Sequence, residues 1–216
     1  MVVTLPETLT GESLAALAET LRSDAPHRVL RGADGESFCQ GLSLEAPPDD
    51  QAVDRFVACV RALRCGPPAI AVVEGAARGA GVGLAAACDR VIATPSARFA
   101  LSELLFGLVP SAIWPLLAER VSAAKLRWWA LTGATLDAEA ARAIGLVDEV
   151  TETPVDLEAT LAPLRRVSAA AVQALKSTTA PMGAVAIGAE RTRARLETTE
   201  VRERIARFLD GEAPWD

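Results

Sequence analysis

The sequence predicts an α/β fold with a parallel-type sheet core followed by a layer of helices. Short apolar runs alternate with helical patterns up to Pro110, and the patterns beyond Pro110 are helical throughout. The apolar run Ala69–Val73 has the length of a buried strand. At 216 residues, with 50% hydrophobic and 23% charged residues, the chain is large enough for a substantial core and has a globular composition.

The first half of the chain carries the strand signals. Segments 2–5, 27–31, 69–73, 90–93 and 98–101 are predicted to be strands or extended pieces. Helices are predicted over 9–21, starting near Thr10 and Ser13, over 52–63, and after a glycine-rich turn over 79–87. Pro67 and Pro68 end the second of these helices, because the residue before a proline disfavours helical backbone.

The second half is predicted to be helical over 112–120, 123–132, 137–143, 157–162, 168–177 and about 183–208. A break near 163–165 suggests a core over residues 1–160 and a C-terminal helical region over 161–216. The mixed-charge run from Arg191 to Arg204 favours a solvated helix face, and an oligomer interface is the alternative interpretation.

Composition excludes several functional classes. A formal charge of −6 and a pI near 5.0 argue against nucleic-acid binding, which depends on clustered Lys and Arg. The sequence shows no secretory signal and no uncharged apolar run that could span a bilayer, so we expect no membrane partner and a cytoplasmic location. Four scattered cysteines without a CxxC pair, and a single histidine, indicate structural thiols and no metal site.

Two glycine-containing turns and one acid carry the chemistry. The turns cover 37–43 and 78–83, where small residues let backbone N–H groups approach a ligand closely. The second turn does not match G-x-G-x-x-G, and from the residues alone a structural turn and an anion-stabilising turn remain equally open. Glu103 lies among apolar neighbours, which would raise its pKa if it is buried, or else it simply starts a short helix.

These motifs together resemble the enoyl-CoA hydratase/isomerase (crotonase) superfamily. The resemblance rests on the strand and glycine turn RGAGVG, the earlier FCQG turn, FALSELLFGLVP and ALTGATLDAEAARAIGLVDEV, which cover most of residues 29–150. It implies a core of repeated ββα units. Within the superfamily, SELLFGLVP and the terminal GEAPW are most similar to the dehydratases of polyketide β-branching, which act on carrier-bound 3-hydroxy-3-methylglutaryl groups.

The resemblance also implies roles for individual residues. Backbone N–H groups of Leu42 and Ala80 match the two donors that hold the thioester oxygen, and Glu103 matches one of two catalytic carboxylates. The other carboxylate position falls on Gly83, a departure shared with the β-branching dehydratases. The implied reaction is dehydration to 3-methylglutaconyl thioester. The alternatives are another crotonase reaction, either enoyl-CoA hydration or glutaconyl decarboxylation, and a non-catalytic binding protein.

Further expectations concern ligands and partners. Arg78 and Trp114 are candidate substrate-binding residues, for the substrate carboxylate or carrier arm and for the acyl pocket respectively. No separate cofactor is expected, because the substrate is carried on the phosphopantetheine of an acyl carrier protein or on CoA. An acyl carrier protein is therefore the expected partner, and the superfamily implies a homotrimer or hexamer.

Overall fold

A computed structural model describes residues 1–45, 50–152 and 155–215. Its strands are β1 Val2–Leu5, β2 Arg28–Gly32, β3 Ser37–Cys39, β4 Ala69–Val73, β5 Ala76–Arg78, β6 Arg90–Ala93, β7 Arg98–Ala100, β8 Leu136–Asp137 and β9 Glu149–Val150. Its α-helices are α1 Gly11–Thr20, α2 Asp50–Cys65, α3 Ala80–Ala87, α4 Trp114–Ala118, α5 Ala123–Thr132, α6 Ala138–Ile144, α7 Leu157–Leu161, α8 Ala169–Thr179, α9 Met182–Leu196 and α10 Thr199–Leu209. Two 3-10 helices cover Glu103–Phe106 and Ala162–Arg166.

The strands form two sheets. The larger sheet has the order β1-β2-β4-β6-β9 with every neighbouring pair parallel. The smaller sheet has the order β3-β5-β7-β8, in which only the β7–β8 pair of the described strands is antiparallel. The units β2-β3-α2 and β4-β5-α3 each send one strand to each sheet and then a helix. The predicted α/β core of ββα units is confirmed.

Both faces of the larger sheet are buried, and successive side chains along each strand point alternately to one face and the other. Leu30, Ala71 and Val91 face the main core, which also receives the apolar faces of α1, α2 and α3. Val29, Ile70, Val72 and Ile92 point to the opposite face and pack with Leu161 of α7. Successive residues on a strand point to opposite faces, so a sheet covered on both sides needs continuous apolar strands. The buried strand predicted at 69–73 is therefore confirmed.

Several predicted boundaries shift for local reasons. Thr10 and Ser13 form the predicted helix start, since each side chain accepts a hydrogen bond from the other residue's backbone N–H. The single helix predicted over 183–208 is wrong, because the chain leaves helical geometry at Thr198, whose hydroxyl caps α10. The strands β3 and β5 lie within or beside the segments interpreted as turns, since three residues carry too little alternation to predict a strand.

The C-terminal helices pack on three separate parts of the core. Helix α9 lies against α2 and α4, and Gly188 allows this approach because a Cβ there would collide with the carbonyl oxygen of Ser111. Helix α10 packs on the 3-10 turn Glu103–Phe106, where Val201 and Ile205 join Phe106 in a small apolar cluster. Helix α8 reaches the start of β4 through Lys176. The predicted break at 163–165 lies within the 3-10 helix Ala162–Arg166.

The described helices include none that is both long and apolar enough to cross a bilayer. The described cysteines are free thiols, three of them buried, and burial raises the pKa of Cys59 and Cys88 to about 12. Over the described ranges, no group of three or more His, Cys, Asp or Glu side chains is arranged to hold a metal ion.

The ion pair between the buried Lys176 and the more exposed Asp89 gives a test of how α8 is attached. Lys176 Nζ donates to Asp89 Oδ2 at 2.6 Å and to the Pro67 carbonyl at 3.0 Å, and its side chain is 8% exposed. We expect Lys176→Met to lower the free energy of unfolding by about 2 kcal/mol, because Asp89 keeps its charge but loses its cation.

Urea denaturation of the wild type and the variant measures this change. The matched control is Lys125→Met, since Lys125 is exposed and donates to the Ala143 carbonyl. That control should stay within about 0.5 kcal/mol of the wild type. Equal stability of the Lys176 variant and the wild type would show that the pair does not hold α8.

Candidate active site

Two glycine turns meet at the centre of the candidate site. Gly41, in the turn after β3, has φ +89°, and a Cβ there would lie 2.8 Å from the Arg78 carbonyl oxygen and 3.3 Å from the Ala80 nitrogen. Gly81, in the first turn of α3, lies so close to the Cys39 carbonyl oxygen that a Cβ would collide with it. Glycine at both positions therefore permits a contact that no side chain would allow.

The N–H group of Leu42 lies beside this contact and is available to donate a hydrogen bond to a ligand. Leu9 N–H donates to the Gly41 carbonyl at 2.7 Å, and Ser43 N–H donates to the Leu9 carbonyl at 2.9 Å. In such a parallel bridge the N–H of the central residue, Leu42, points away from Leu9. Within residues 1–45, 50–152 and 155–215 the structure gives this N–H no hydrogen-bond acceptor.

The N–H group of Ala80 is available for a different reason. Ala80 is the first residue of α3, and the first N–H groups of a helix have no partner within it. The helical ladder begins only at Gly83, whose N–H donates to the Gly79 carbonyl at 3.1 Å. Since Gly41 touches the Ala80 nitrogen, the structure brings together the two predicted oxyanion donors, Leu42 and Ala80.

Glu103 enters the same site from the end of β7. It begins the 3-10 turn Glu103–Phe106, and a Cβ on Gly79 would lie 3.2 Å from its Oε1 atom. Its Oε2 atom is inaccessible to solvent and has no hydrogen-bond partner in the part of the chain that the structure describes. Burial raises the pKa of Glu103 to about 7, against a smaller opposing effect of a backbone hydrogen bond.

A largely apolar cavity joins these groups. Its polar lining side chains in the described ranges are Gln40, Ser102, Glu103 and Thr192. The other lining residues are Gly41, Leu42, Leu44, Val53, Phe56, Gly79, Ala80, Phe106, Leu108, Val109, Pro110, Ala112, Ile113 and Leu196. An apolar wall with a few convergent polar groups is the usual form of a small-molecule site.

The two predicted substrate-binding residues are not placed in this lining. Arg78 ends β5 with its side chain exposed, while its carbonyl faces Gly41. Trp114 is half-buried at the start of α4 and packs against the main core. Its neighbour Ile113 lines the cavity instead, because consecutive residues near a helix start point in different directions.

Sequence reasoning missed the contribution of α2 and α9 to the cavity. Phe56 is a buried residue of α2, in the helix predicted over 52–63, and only its tertiary position shows that it also touches the cavity. Thr192 and Leu196 belong to the charged segment interpreted as a solvated face. Nothing in a local pattern signals that α9 folds back over α2.

Other side chains fill the space that a second acid at position 83 would occupy. A Cβ on Gly83 would collide with the Cγ2 atom of Ile113 and would lie 3.3 Å from the ring of Phe56. Both of these side chains line the cavity. Glycine at 83 is therefore part of the packing of the site, and an acidic side chain could enter only if Ile113 moved.

Comparison with known proteins identifies relatives of this chain. The family described as Enoyl-CoA hydratase/isomerase matches residues 2–206. The bacillaene synthase dehydratase PksH of Bacillus subtilis is 31% identical over 175 residues, which are 76% of this chain and 67% of PksH. The enoyl-CoA hydratase ACTT6 of Alternaria alternata is 30% identical over 62% of this chain and 46% of its own length. The chain thus spans about half to two thirds of these curated relatives.

Solved structures share the fold. An enoyl-CoA hydratase from Mycobacterium avium superposes with a TM-score of 0.82 at 29% identity, over 99% of this chain and 92% of the other. The structure of PksH gives a TM-score of 0.84 at 24% identity, over 97% of this chain and 92% of the other. These likenesses support the predicted crotonase-like fold.

The raised pKa of Glu103 predicts a pH-dependent effect of Glu103→Gln on stability. The folded carboxyl holds its proton up to about pH 7, whereas an unfolded Glu loses it near 4.5, so folding binds protons between these values. The contribution of Glu103 to wild-type stability therefore falls as pH rises from 4.5 to 7. Gln has no proton to lose, and the variant should be about 3 kcal/mol more stable than the wild type at pH 8.

Chemical denaturation at pH 4.5 and pH 8 tests this expectation. The stability gain of Glu103→Gln should be near zero at the lower pH. The exposed Glu203→Gln on α10 is the matched control and should show no such difference between the two pH values. A gain that is the same at both pH values would mean that the Glu103 carboxyl is not desolvated in the folded protein.

Proposed function

Because the chain belongs to the enoyl-CoA hydratase/isomerase family, we propose that it removes water from a 3-hydroxyacyl thioester. The specific substrate proposed is a carrier-bound 3-hydroxy-3-methylglutaryl group, which becomes 3-methylglutaconyl thioester. One observation carries the proposal: among the described residues that line the cavity, Glu103 is the one carboxyl, it shares the cavity with Leu42 and Ala80, and Ile113 fills the space beside Gly83. The similarity to PksH, named as a dehydratase, supports elimination over hydration.

The two backbone donors stabilise the charge that develops when the substrate loses its C2 proton. The N–H groups of Leu42 and Ala80 hydrogen-bond the thioester oxygen as it gains enolate character. Their position is fixed by the contact at Gly41, so they need no reorganisation when the charge appears. Removing one such donor in other enzymes costs about 3 kcal/mol of transition-state stabilisation.

Glu103 moves the proton in both halves of the reaction. Its carboxylate takes the C2 proton, the C2–H electrons form the new C2–C3 π bond, and the C3–O bond breaks. The protonated Glu103 then returns the proton to the departing hydroxyl, which leaves as water. A pKa of about 7 suits this double role, because both protonation states are populated near neutral pH.

The cavity lining favours a second candidate substrate as well. Lys and Arg are absent from the lining residues that the structure describes, so a distal carboxylate would meet only neutral donors such as Ser102 and Thr192. A 3-hydroxyacyl thioester with an uncharged acyl chain needs no such partner. We therefore keep a neutral 3-hydroxyacyl thioester, on a carrier protein or CoA, as the alternative substrate.

Mass spectrometry of carrier-bound thioesters tests the proposed function. Wild-type protein incubated with 3-hydroxy-3-methylglutaryl carrier protein should remove one water, and Glu103→Gln should lower the rate at least a thousandfold, since the described lining of the cavity holds no other acid. 3-Hydroxybutyryl carrier protein serves as the neutral substrate. The corresponding CoA thioesters show whether the enzyme requires a carrier protein or accepts CoA.

Turnover of only the neutral substrate would select the alternative. Loss of carbon dioxide from a 3-methylglutaconyl carrier would indicate a decarboxylase instead. Equal rates for wild type and Glu103→Gln would remove Glu103 from the mechanism. Absence of turnover with every thioester would contradict the proposed function.

The packing of Ile113 against Gly83 gives a test of whether this side chain excludes a second acid from the site. We expect Gly83→Glu alone to lower the free energy of unfolding by about 3 kcal/mol, because its side chain collides with Ile113. The double variant Gly83→Glu/Ile113→Ala should recover much of this loss and should hydrate a 2,3-enoyl-CoA at least tenfold faster than the wild type. Denaturation and an absorbance assay measure the two effects.

The single variant Ile113→Ala is the control, since it opens the space without adding an acid. It should lose about 3 kcal/mol of stability, as large-to-small core changes do, and should gain no hydratase activity. A Gly83→Glu protein as stable as the wild type would contradict the packing argument.

A further inference from the structure

Among the described residues, no side chain is hydrogen-bonded to the Glu103 carboxyl. Its Oε2 atom lacks a hydrogen-bond partner among the described residues, and Gly79, which its Oε1 atom approaches, has no side chain. The position of this carboxyl is therefore set by the backbone of its own 3-10 turn. A group that fixes that backbone controls where the carboxyl lies.

Two arginines from the C-terminal helices bind carbonyl groups of this turn. Arg204 of α10 donates through Nη1 to the Leu105 carbonyl at 3.1 Å. Arg195 of α9 donates to the Gly107 carbonyl through Nε at 2.7 Å and also through Nη2. The carbonyl of Glu103 is held within the segment itself by Leu108 N–H at 2.9 Å. The arginines thus satisfy carbonyls that the short turn does not satisfy internally.

Glu200 links the two arginines. Its carboxylate accepts from Arg195 Nη2 at 2.7 Å and lies 3.5 Å from Arg204 Nε. The partly exposed side chains leave each ion pair weak by itself, but together they fix both guanidinium groups against the turn. A Cβ on Gly107 would lie 3.1 Å from Glu200 Oε1, so the turn packs directly on this cluster.

The terminal segment GEAPW, residues 211–215, completes the arrangement. Gly211 has φ +82° and reverses the chain after α10, with Glu212 N–H donating to the Arg207 carbonyl at 2.9 Å. The reversal returns Pro214 to the helix, where its carbonyl accepts from Arg204 Nη1 at 3.1 Å. The same nitrogen therefore joins the terminal segment to Leu105, two residues beyond Glu103.

We propose that Arg195, Glu200, Arg204 and residues 211–215 form a clamp that positions the Glu103 carboxyl for proton transfer, with Arg204 as its central positioning residue. This inference rests on the proposed function for its catalytic consequence. None of the clamp residues lines the cavity as described. The clamp acts on the substrate only through the backbone of the turn.

Kinetics of Arg204 variants provide the first test, with 3-hydroxy-3-methylglutaryl carrier protein as the probe. Arg204→Met should lower kcat at least tenfold and change KM less than threefold, because small displacements of a catalytic group reduce rate strongly. Arg204→Lys should recover part of the loss, since it keeps a donor. A chain ending at Asp210, without the terminal segment, should lie between Arg204→Met and wild type.

Arg202→Met is the matched control for these variants. Arg202 is exposed on α10, and its side chain has no hydrogen bond or ion pair among the described residues. This variant should stay within twofold of the wild type in kcat. Equal losses in Arg202→Met and Arg204→Met would overturn the proposal.

A second measurement needs no substrate and separates positioning from general stability. The rise in melting temperature caused by Glu103→Gln is measured at pH 8 and at pH 4.5, and the value at pH 4.5 is subtracted from the value at pH 8. This difference is determined in the wild-type and Arg204→Met backgrounds. A loosened turn lets water reach the carboxyl, so this difference should fall by at least half in the Arg204→Met background. A purely structural role for Arg204 would leave the difference unchanged, and that result would overturn the clamp.

The two measurements distinguish the two proposals. If the wild type fails to dehydrate any thioester, the proposed function fails, while the melting-temperature difference still decides whether the clamp holds Glu103. If the wild type is active and the difference is unaffected by Arg204→Met, the clamp fails and the proposed function stands.

Discussion

The contact between the two glycine turns is the constraint on which the candidate site depends. Gly41 lies against the Arg78 carbonyl and the Ala80 nitrogen, and Gly81 lies against the Cys39 carbonyl. Each turn is held by a different part of the fold: the first by the isolated bridge to Leu9, the second by β5 and the start of α3. The N–H groups of Leu42 and Ala80 therefore come from segments far apart in sequence, and the backbone contact at Gly41 brings them close together.

This backbone construction explains how one carboxyl can be enough. In the proposed reaction, oxyanion stabilisation needs no titrating side chain, so Glu103 is the group that transfers the proton. The apolar cavity keeps that carboxyl desolvated and raises its pKa to about 7. Ile113 and Phe56 occupy the volume that a second acid would need. The same apolar packing therefore desolvates Glu103 and leaves no space for a second acid at position 83.

The sequence predicts those parts of the structure that local patterns encode. The strand at 69–73 and the start of α1 at Thr10 each follow from neighbouring residues, and the structure confirms both elements. The strands β3 and β5 escape prediction because three residues carry no usable periodicity. The positions of Thr192 and Leu196 escape it because they depend on how α9 returns over α2. Arg195 and Arg204 resemble solvated charges in sequence, since no pattern distinguishes an arginine in water from one that reaches a distant carbonyl.

The position of α10 on the Glu103 turn has a consequence for how the protein matures during synthesis. Both sheets, the glycine turns and the turn itself are made before α10 and residues 211–215 leave the ribosome. A nascent chain can thus assemble its core before the proposed clamp on the Glu103 turn exists. A chain terminated near Glu197 would lack α10 and residues 211–215, which the proposed clamp needs to position Glu103. Under this proposal, the core is complete before the active site is.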